Sequence, residues 1–429
     1  MKQGLMEFID ATPNIFICVD NIKTELMNKN YIELAEQVPW QVERGKNYFI
    51  TKNDSALIAF QVGKRLENPG FHIVAAHGDS PSFQLKPNYE FLENGYLKVN
   101  TDKYGGRINY SWLDRPLSIA GRVITKQKNQ LRKHMLNIEQ DLMIIPSQAI
   151  HSNPQVNEKN ALNPQVDMLP IVSLTNEPGG LDLLVKQAVG TTDSLVDYDL
   201  FLYNRDKAKL VGLNQEFLLA PRLDDLSCVY LGLQSFINST NPYDINVFCV
   251  FNQEEIGNIN QSGADSTFLE ETLTQIMNDL NLEKTRTLAN SFQISADNSH
   301  AVHPNAPAKS DPLHKVKMGQ GIVIKHHMNY TTDSVSAAIL RQICDQAELP
   351  YQDYANRSDA PTGSTLGKSS IRHVSIDSVD IGLAQLAMHS ANEMIGTDDI
   401  TYLYQTLQEF YETRILKQQN MITIEPVKR

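Results

Sequence analysis

The chain of 429 residues carries only four cysteines, Cys18, Cys228, Cys249 and Cys344, each in apolar surroundings and with no C-x-x-C among them. That pattern argues against a thiolate metal site or a disulfide framework. The four read as buried free thiols of a reducing compartment. Long apolar runs are missing too. None approaches the roughly 18 residues of a membrane-spanning helix, and the opening "MKQGLMEFID" lacks the continuous apolar core of a secretory signal. A cytoplasmic location is therefore expected, with no membrane partner. Basic charge is scarce: 38 Lys and Arg stand against 50 Asp and Glu, a formal net charge of −12. No cationic surplus exists to hold phosphates, which argues against nucleic acid as a partner.

What is present is the pattern of a layered α/β protein. The length favours two domains over one. Three short apolar runs, "FHIVAA" (71–76), "NVFCVF" (246–251) and "SFQISA" (291–296), have the continuous apolar character of strands buried on both faces. Helical periods lie between or after them. Leu226, Val229, Tyr230, Leu233 and Phe236 follow i, i+3, i+4, i+7 spacing, and "TTDSVSAAILRQICDQ" and "TDDITYLYQTLQEFYETRIL" are similar. In the last, Thr397 is the expected N-cap, with Asp398 and Asp399 near the positive end of the helix dipole. Buried strands alternating with amphipathic helices predict a largely parallel sheet in an α/β layer.

The middle third differs. Short alternating runs such as "YLKV", "GRINYSW" and "SIAGRVI" predict strands, and "LFLYNRDKAKLVGL" reads as a hairpin turning near residues 204–206. The expected organisation is an α/β domain from residues 1–88 and 218–429, interrupted by a β-rich domain at 89–217.

Chemistry-bearing residues fall where strands should end. "FHIVAA" is followed by His77 and Asp79, "SFQISA" by Asp297, and "NVFCVF" by Glu254 and Glu255; Asp224 and Asp225 open a helix, and His389 sits in a late loop. In an open parallel sheet, sites are assembled at the carboxyl ends of the strands. A lone Asp before a helix is most often a cap, and Asp225 is assigned to that role or to solvent. Two histidines and three carboxylates without cysteine suit a pair of divalent ions such as zinc, manganese or cobalt. One carboxylate can bridge two ions about 3.5–4 Å apart. Asp79, two residues after His77, is placed to accept the second imidazole N–H. In an extended segment Glu254 and Glu255 point to opposite sides, so that one ligates a cation while the other faces the attacking water as general base.

These residues lie in "AAHGDSPSFQLKP", "SWLDRPLSIAGRV", "PSQAIHSNPQVNEKNALNPQVDMLPI", "RLDDL", "NQEEIG", "SADNSHAVHPN", "RSDAPTGSTLG" and "LAMHSANEM". In that order they resemble the aspartyl aminopeptidase family of dinuclear zinc metallo-aminopeptidases. The resemblance implies one ion on His77, Asp224 and Asp297 and a second on Asp224, Glu255 and His389, with Glu254 as general base. His151 and His303 resemble histidines that line the family's substrate site, and Lys325 a lysine near it. The family fold is a catalytic α/β/α domain of the zinc exopeptidase type with an inserted β-rich dimerisation domain. The resemblance further implies peptide substrates with a free N-terminus and self-assembly as a homodimer or a tetrahedral dodecamer, and the positive charge and donors of Lys325 and the substrate-side histidines predict a preference for acidic or otherwise polar N-terminal residues. The pattern departs from the family at Thr362, where Cys is expected, and at Lys368, where Pro is expected; both bear on side-chain preference. Other binuclear exopeptidases and deacylases with neutral preference share the ligand logic but lack the "SWLDRPLSIAGRV" and "AIHSNPQVNE" segments.

Overall fold

The computed structural model describes residues 1–175 and 177–427. Alternation along its central strands decides the architecture. Every residue of Phe71–His77 is buried. Phe71, Ile73 and Ala75 join one apolar cluster, and Val74 and Ala76 another. Ile245–Phe251 divides in the same way, with Val247, Cys249 and Phe251 on one side and Phe248 and Val250 on the other. A sheet buried on both faces needs a layer against each. One layer contains Lys2–Ala11, Ile15–Asn28, Leu223–Asn238, Ser334–Gln346 and Thr397–Tyr411; the opposite layer is built on Phe268–Asp279. The protein is of the α/β class.

The main sheet has nine strands, in the order Ile32–Leu34, Asn47–Lys52, Ala56–Val62, Ile245–Phe251, Phe71–His77, Phe292–Ala296, Asp377–Gly382, Ile322–His326 and Tyr351–Ala355. The four from Ile245–Phe251 to Asp377–Gly382 are mutually parallel, so their carboxyl ends share one edge. Antiparallel neighbours flank this quartet on both sides.

A six-stranded antiparallel sheet runs in the order Gln130–Asn137, Leu117–Gln127, Ser194–Asn204, Ser82–Glu93, Tyr96–Tyr104 and Ile171–Leu174. It has its own core, which includes Phe83, Val99, Ile119 and Leu202. Lys209–Val211 and Phe217–Ala220 belong instead to a third sheet, where Phe217–Ala220 pairs with Glu393–Gly396. The hairpin expected near 204–206 is therefore not formed, because the strands on either side enter different sheets. Asn204 redirects the chain: its Oδ1 accepts the Asp206 N–H over 3.1 Å, and its Nδ2 donates to the Ala391 carbonyl over 2.8 Å.

Asp333 caps Ser334–Gln346 in a reciprocal capping box. Thr397 does not cap its helix. It is the first helical residue, and its hydroxyl donates to the Gln215 carbonyl. Asp399 is fully buried and accepts the N–H groups of Gly319 and Gly321, so its charge ties down a loop. All four cysteine thiols are free and buried. Among the described residues, no helix is long and apolar enough to cross a membrane.

Candidate active site

His77 closes its strand, and Asp297 directly follows Phe292–Ala296. Glu254 and Glu255 lie in a 3-10 turn, Glu254–Ile256, just beyond Ile245–Phe251. Four non-glycine residues beside or within the site have left-handed backbone: Arg222 (φ 58°), Gln253 (φ 62°), Ala387 (φ 55°) and His389 (φ 67°). Such backbone persists only where the surroundings hold it, and it concentrates at functional sites. At Gln253 it turns the chain out of the strand direction. Glu254 and Glu255 therefore do not point to opposite sides of an extended segment; both bring a carboxylate oxygen to His77.

Three groups of donor atoms converge, each within 4.8 Å: His77, Asp224 and Asp297; Asp224, Glu255 and His389; and His77, Glu254 and Glu255. Asp224 faces both imidazoles. Its Oδ1 is 3.4 Å from His77 Nε2 and its Oδ2 is 3.4 Å from His389 Nε2, which is also 3.4 Å from Glu255 Oε1. Main-chain carbonyls orient both rings. His77 Nδ1 lies 3.1 Å from the Asp79 carbonyl and His389 Nδ1 lies 2.9 Å from that of Gly106. A carbonyl only accepts, so each ring carries a hydrogen on Nδ1 and aims Nε2 at the carboxylates.

Asp79 differs from its expected part. Its carbonyl, rather than its carboxylate, is the nearer partner of His77, the carboxylate being 3.4 Å away. The carboxylate accepts the N–H groups of Glu254 (3.2 Å) and Glu255 (3.3 Å) and the Tyr104 hydroxyl (2.8 Å). Open N–H groups at the start of a helical turn favour a negative partner. Asp79 thus holds both His77 and the Glu254–Glu255 turn. Asp225 is neither a cap nor solvated. It is fully buried, in a non-helical opening turn, with Oδ2 3.4 Å from the His77 nitrogen.

Glu393 was not expected. Its carboxylate accepts the Asp224 N–H over 2.9 Å and the His389 N–H over 2.6 Å, and it is 2% exposed. Its only sequence signal is its place four residues after His389 in "MHSANEM".

Electrostatically the cluster is unbalanced. Burial pushes the Glu254 and Glu393 carboxyls up to about 8, and Glu255 well above the usual range. Burial also works against the charge of Asp224, but the imidazoles of His389 and His77 hold it below the usual range. His389 is raised to about 10 against its burial, because Asp224 and Glu255 surround it with negative charge. Among the described residues, the buried oxygens Asp224 Oδ1 and Glu255 Oε1 have no hydrogen-bond partner. Unpartnered carboxylate oxygens with imidazole Nε2 atoms facing them are what bound dications would satisfy, since positive charge there favours ionised carboxylates and neutral imidazoles. The donor set fits zinc.

The cluster opens into a cleft of about 1590 Å³, counting its mouth, whose wall includes His303, Lys325, Tyr330 and Arg357. Lys325 is 3% exposed, with Nζ 3.7 Å from Asp297 Oδ2 and 5.7 Å from the centre of the Tyr330 ring. His303 is exposed at the cleft, its Nδ1 accepting the Asn305 N–H. His151 sits in an exposed turn and does not line this cleft. Thr362 lies 3.3 Å from His327 Nε2, and Lys368 donates to the Met328 carbonyl; neither residue belongs to the donor groups.

A parallel quartet of strands at the centre of an α/β sheet, with imidazoles and carboxylates converging at its carboxyl ends, defines a metal-dependent hydrolase. The chain matches the family described as "Aminopeptidase I zinc metalloprotease (M18)" over residues 8–411. It is 41% identical over 421 residues to a "Probable M18 family aminopeptidase 2" of Clostridium acetobutylicum, covering 95% of this chain and 97% of the relative. It is 36% identical over 421 residues to a protein of the same name from Ectopseudomonas mendocina, covering 96% and 98%. Among solved structures it is similar to a chain of the cryo-EM structure of the Ape4 and Nbr1 complex, with a TM-score of 0.91, 32% identity, and 95% and 85% of the two chains covered. It is also similar to the crystal structure of prApe1, with a TM-score of 0.90, 25% identity, and 95% and 94% covered. The chain belongs to the M18 family of zinc metalloproteases. It is a metallo-aminopeptidase.

Proposed function

We propose that the cluster holds two divalent ions, zinc first, with manganese or cobalt compatible with the same donors. One ion takes His77, Asp224 and Asp297; the other takes Asp224, Glu255 and His389. When bound, such a pair polarises the scissile carbonyl and makes a water acidic. Glu254 takes the proton from that water as its oxygen attacks the carbonyl carbon, and delivers it to the amine that leaves as the C–N bond breaks. Asp79 holds the turn that presents Glu254.

The observation that carries this reading is the membership of Asp224 in two of the donor groups. Asp224→Ala removes the shared ligand. Zinc content and hydrolysis of an aminoacyl chromogenic substrate are measured beside wild type, with two ions per chain expected in wild type and loss of both metal and activity in the variant. Two retained ions with normal turnover would overturn it.

The substrate is a peptide with a free N-terminus, and the preferred N-terminal residue is acidic. Lys325, His303, Lys309 and Arg357 on the cleft wall support that preference. The nearest of these to the cluster, Lys325, already faces Asp297. A kcat/KM for a leucine substrate well above those for Asp and Glu substrates would contradict it.

The six-stranded sheet, spanning 82–204, serves as the inserted dimerisation domain in this reading. It offers exposed apolar side chains at Tyr96, Ile144 and Leu174 around its edge strand, Ile171–Leu174. The assembly is a homodimer, with the tetrahedral dodecamer as its higher form.

A further inference from the structure

Glu393 occupies an unusual position for a carboxylate. It pairs with Ala220 in the third sheet, 2% exposed, behind the donor cluster rather than in it. A buried carboxylate is costly unless it is paired or hydrogen-bonded. The neighbouring Arg222 adds a longer-range attraction but no direct contact, because its guanidinium donates to the carbonyls of Ile9, Thr12 and Asn204. The compensation comes from two main-chain N–H groups on different oxygens: Asp224 N to Oε2 and His389 N to Oε1.

Neither of those N–H groups belongs to a regular ladder. Asp224 has non-helical backbone (φ −84°, ψ 105°) inside the first turn of its helix, and His389 is left-handed at φ 67°. A single carboxylate therefore links the main chains of two residues remote in sequence whose side chains stand 3.4 Å apart, Asp224 Oδ2 to His389 Nε2. His77 and Asp297 receive no such tie from Glu393 and reach Asp224 from other strands.

We infer that Glu393 is a positioning residue that sets the spacing between Asp224 and His389 and so builds the ion site of Asp224, Glu255 and His389. The inference rests on the two-ion reading above. Glutamine in its place has one acceptor oxygen and one NH2 group. The NH2 would face a main-chain N–H, donor against donor, and one of the two segments would lose its anchor. Because His389 serves only this second ion, the loss falls on that ion first. Residues that orient metal ligands typically change affinity or activity by about 10–100-fold when replaced.

The test is a zinc titration against a competing chelator, on metal-depleted wild type and Glu393→Gln, with kcat and KM measured at limiting and excess zinc. The expected result is two ions in wild type and, in the variant, a second ion weakened about 10–100-fold while the first is held. kcat falls with little change in KM, and excess zinc restores part of it. Two ions bound with wild-type affinities, or equal weakening of both without rescue by zinc, would overturn the inference. A wild type that binds only one ion would instead overturn the two-ion reading, and this inference with it. If Glu393→Gln does not fold, Glu393→Asp keeps the charge but shortens the arm so that it cannot reach both N–H groups, and the same titration decides.

Discussion

The carbonyl of Gly106 accepts the Nδ1–H of His389 over 2.9 Å, and the carbonyl of His389 in turn accepts the Ile108 N–H over 2.9 Å. The segment just after Tyr96–Tyr104 in the six-stranded sheet thus orients an imidazole of the cluster at the edge of the nine-stranded one. Ser111 Oγ extends the clamp by accepting the Ala391 N–H over 2.9 Å. The small antiparallel sheet is therefore part of the site's frame as well as a separate layer with its own core.

Gly105 tests that frame. Its φ is +68°, and a Cβ there would lie 3.1 Å from Glu255 Cβ and 3.3 Å from Pro81. Gly105→Ala adds a left-handed penalty of roughly 1–2 kcal/mol and presses on Glu255. Tm should fall, and kcat should drop by as much as roughly 10²-fold, the scale of a 1 Å misplacement. Unchanged Tm and kcat would show that this segment does not set the position of Glu255.

Glu254→Gln keeps shape but removes the proton acceptor. General acid–base catalysis contributes about 10²–10⁴-fold, so kcat should fall by at least the lower figure with zinc content unchanged. A loss of less than about tenfold, well short of that range, counts against the role.

Asp79→Asn separates support from chemistry. The carboxylate accepts three hydrogen bonds, from the Tyr104 hydroxyl and the nitrogens of Glu254 and Glu255. An amide has a single acceptor oxygen. The His77 contact runs mainly through the Asp79 carbonyl and survives the change. Activity should therefore fall about 10–100-fold while the ion held by His77 stays bound. Loss of that ion would place the carboxylate's main effect on His77 instead.

Much of this was legible in the sequence because burial on both faces leaves a continuous apolar run. "FHIVAA", "NVFCVF" and "SFQISA" became three adjacent strands, and His77, Asp297 and the Glu254–Glu255 pair stand at their ends. What was not legible depended on long-range partners. The turn that aims both glutamates needs positive φ at Gln253, a residue type with no preference for it. Asp225 reads as a cap or a solvated residue, and Glu393 draws no reading at all, because nothing local reveals that a carboxylate will be enclosed. Lys209–Val211 and Ser194–Asn204 look like one hairpin by pattern alone; their sheet assignments follow from pairing with Phe217–Ala220 and Leu117–Gln127.

His151 poses the remaining test. It lies in an exposed turn within the span of the six-stranded sheet and outside its own chain's cleft, so any part it plays at a substrate site must be played in a neighbour's. The simplest assembly that offers a neighbour is a two-fold dimer. In that arrangement His151→Ala and Glu254→Gln homodimers are each impaired for different reasons, one lacking the contributed imidazole and the other the proton acceptor. After subunit exchange, some mixed dimers carry one site with its own Glu254 and the partner chain's intact His151. Activity should then rise above that of either parent, while exchange between two Glu254→Gln preparations recovers nothing. Full activity in His151→Ala alone, or no recovery once exchange is verified by differential tagging, would place His151 outside the reaction and leave each cleft complete within its own chain.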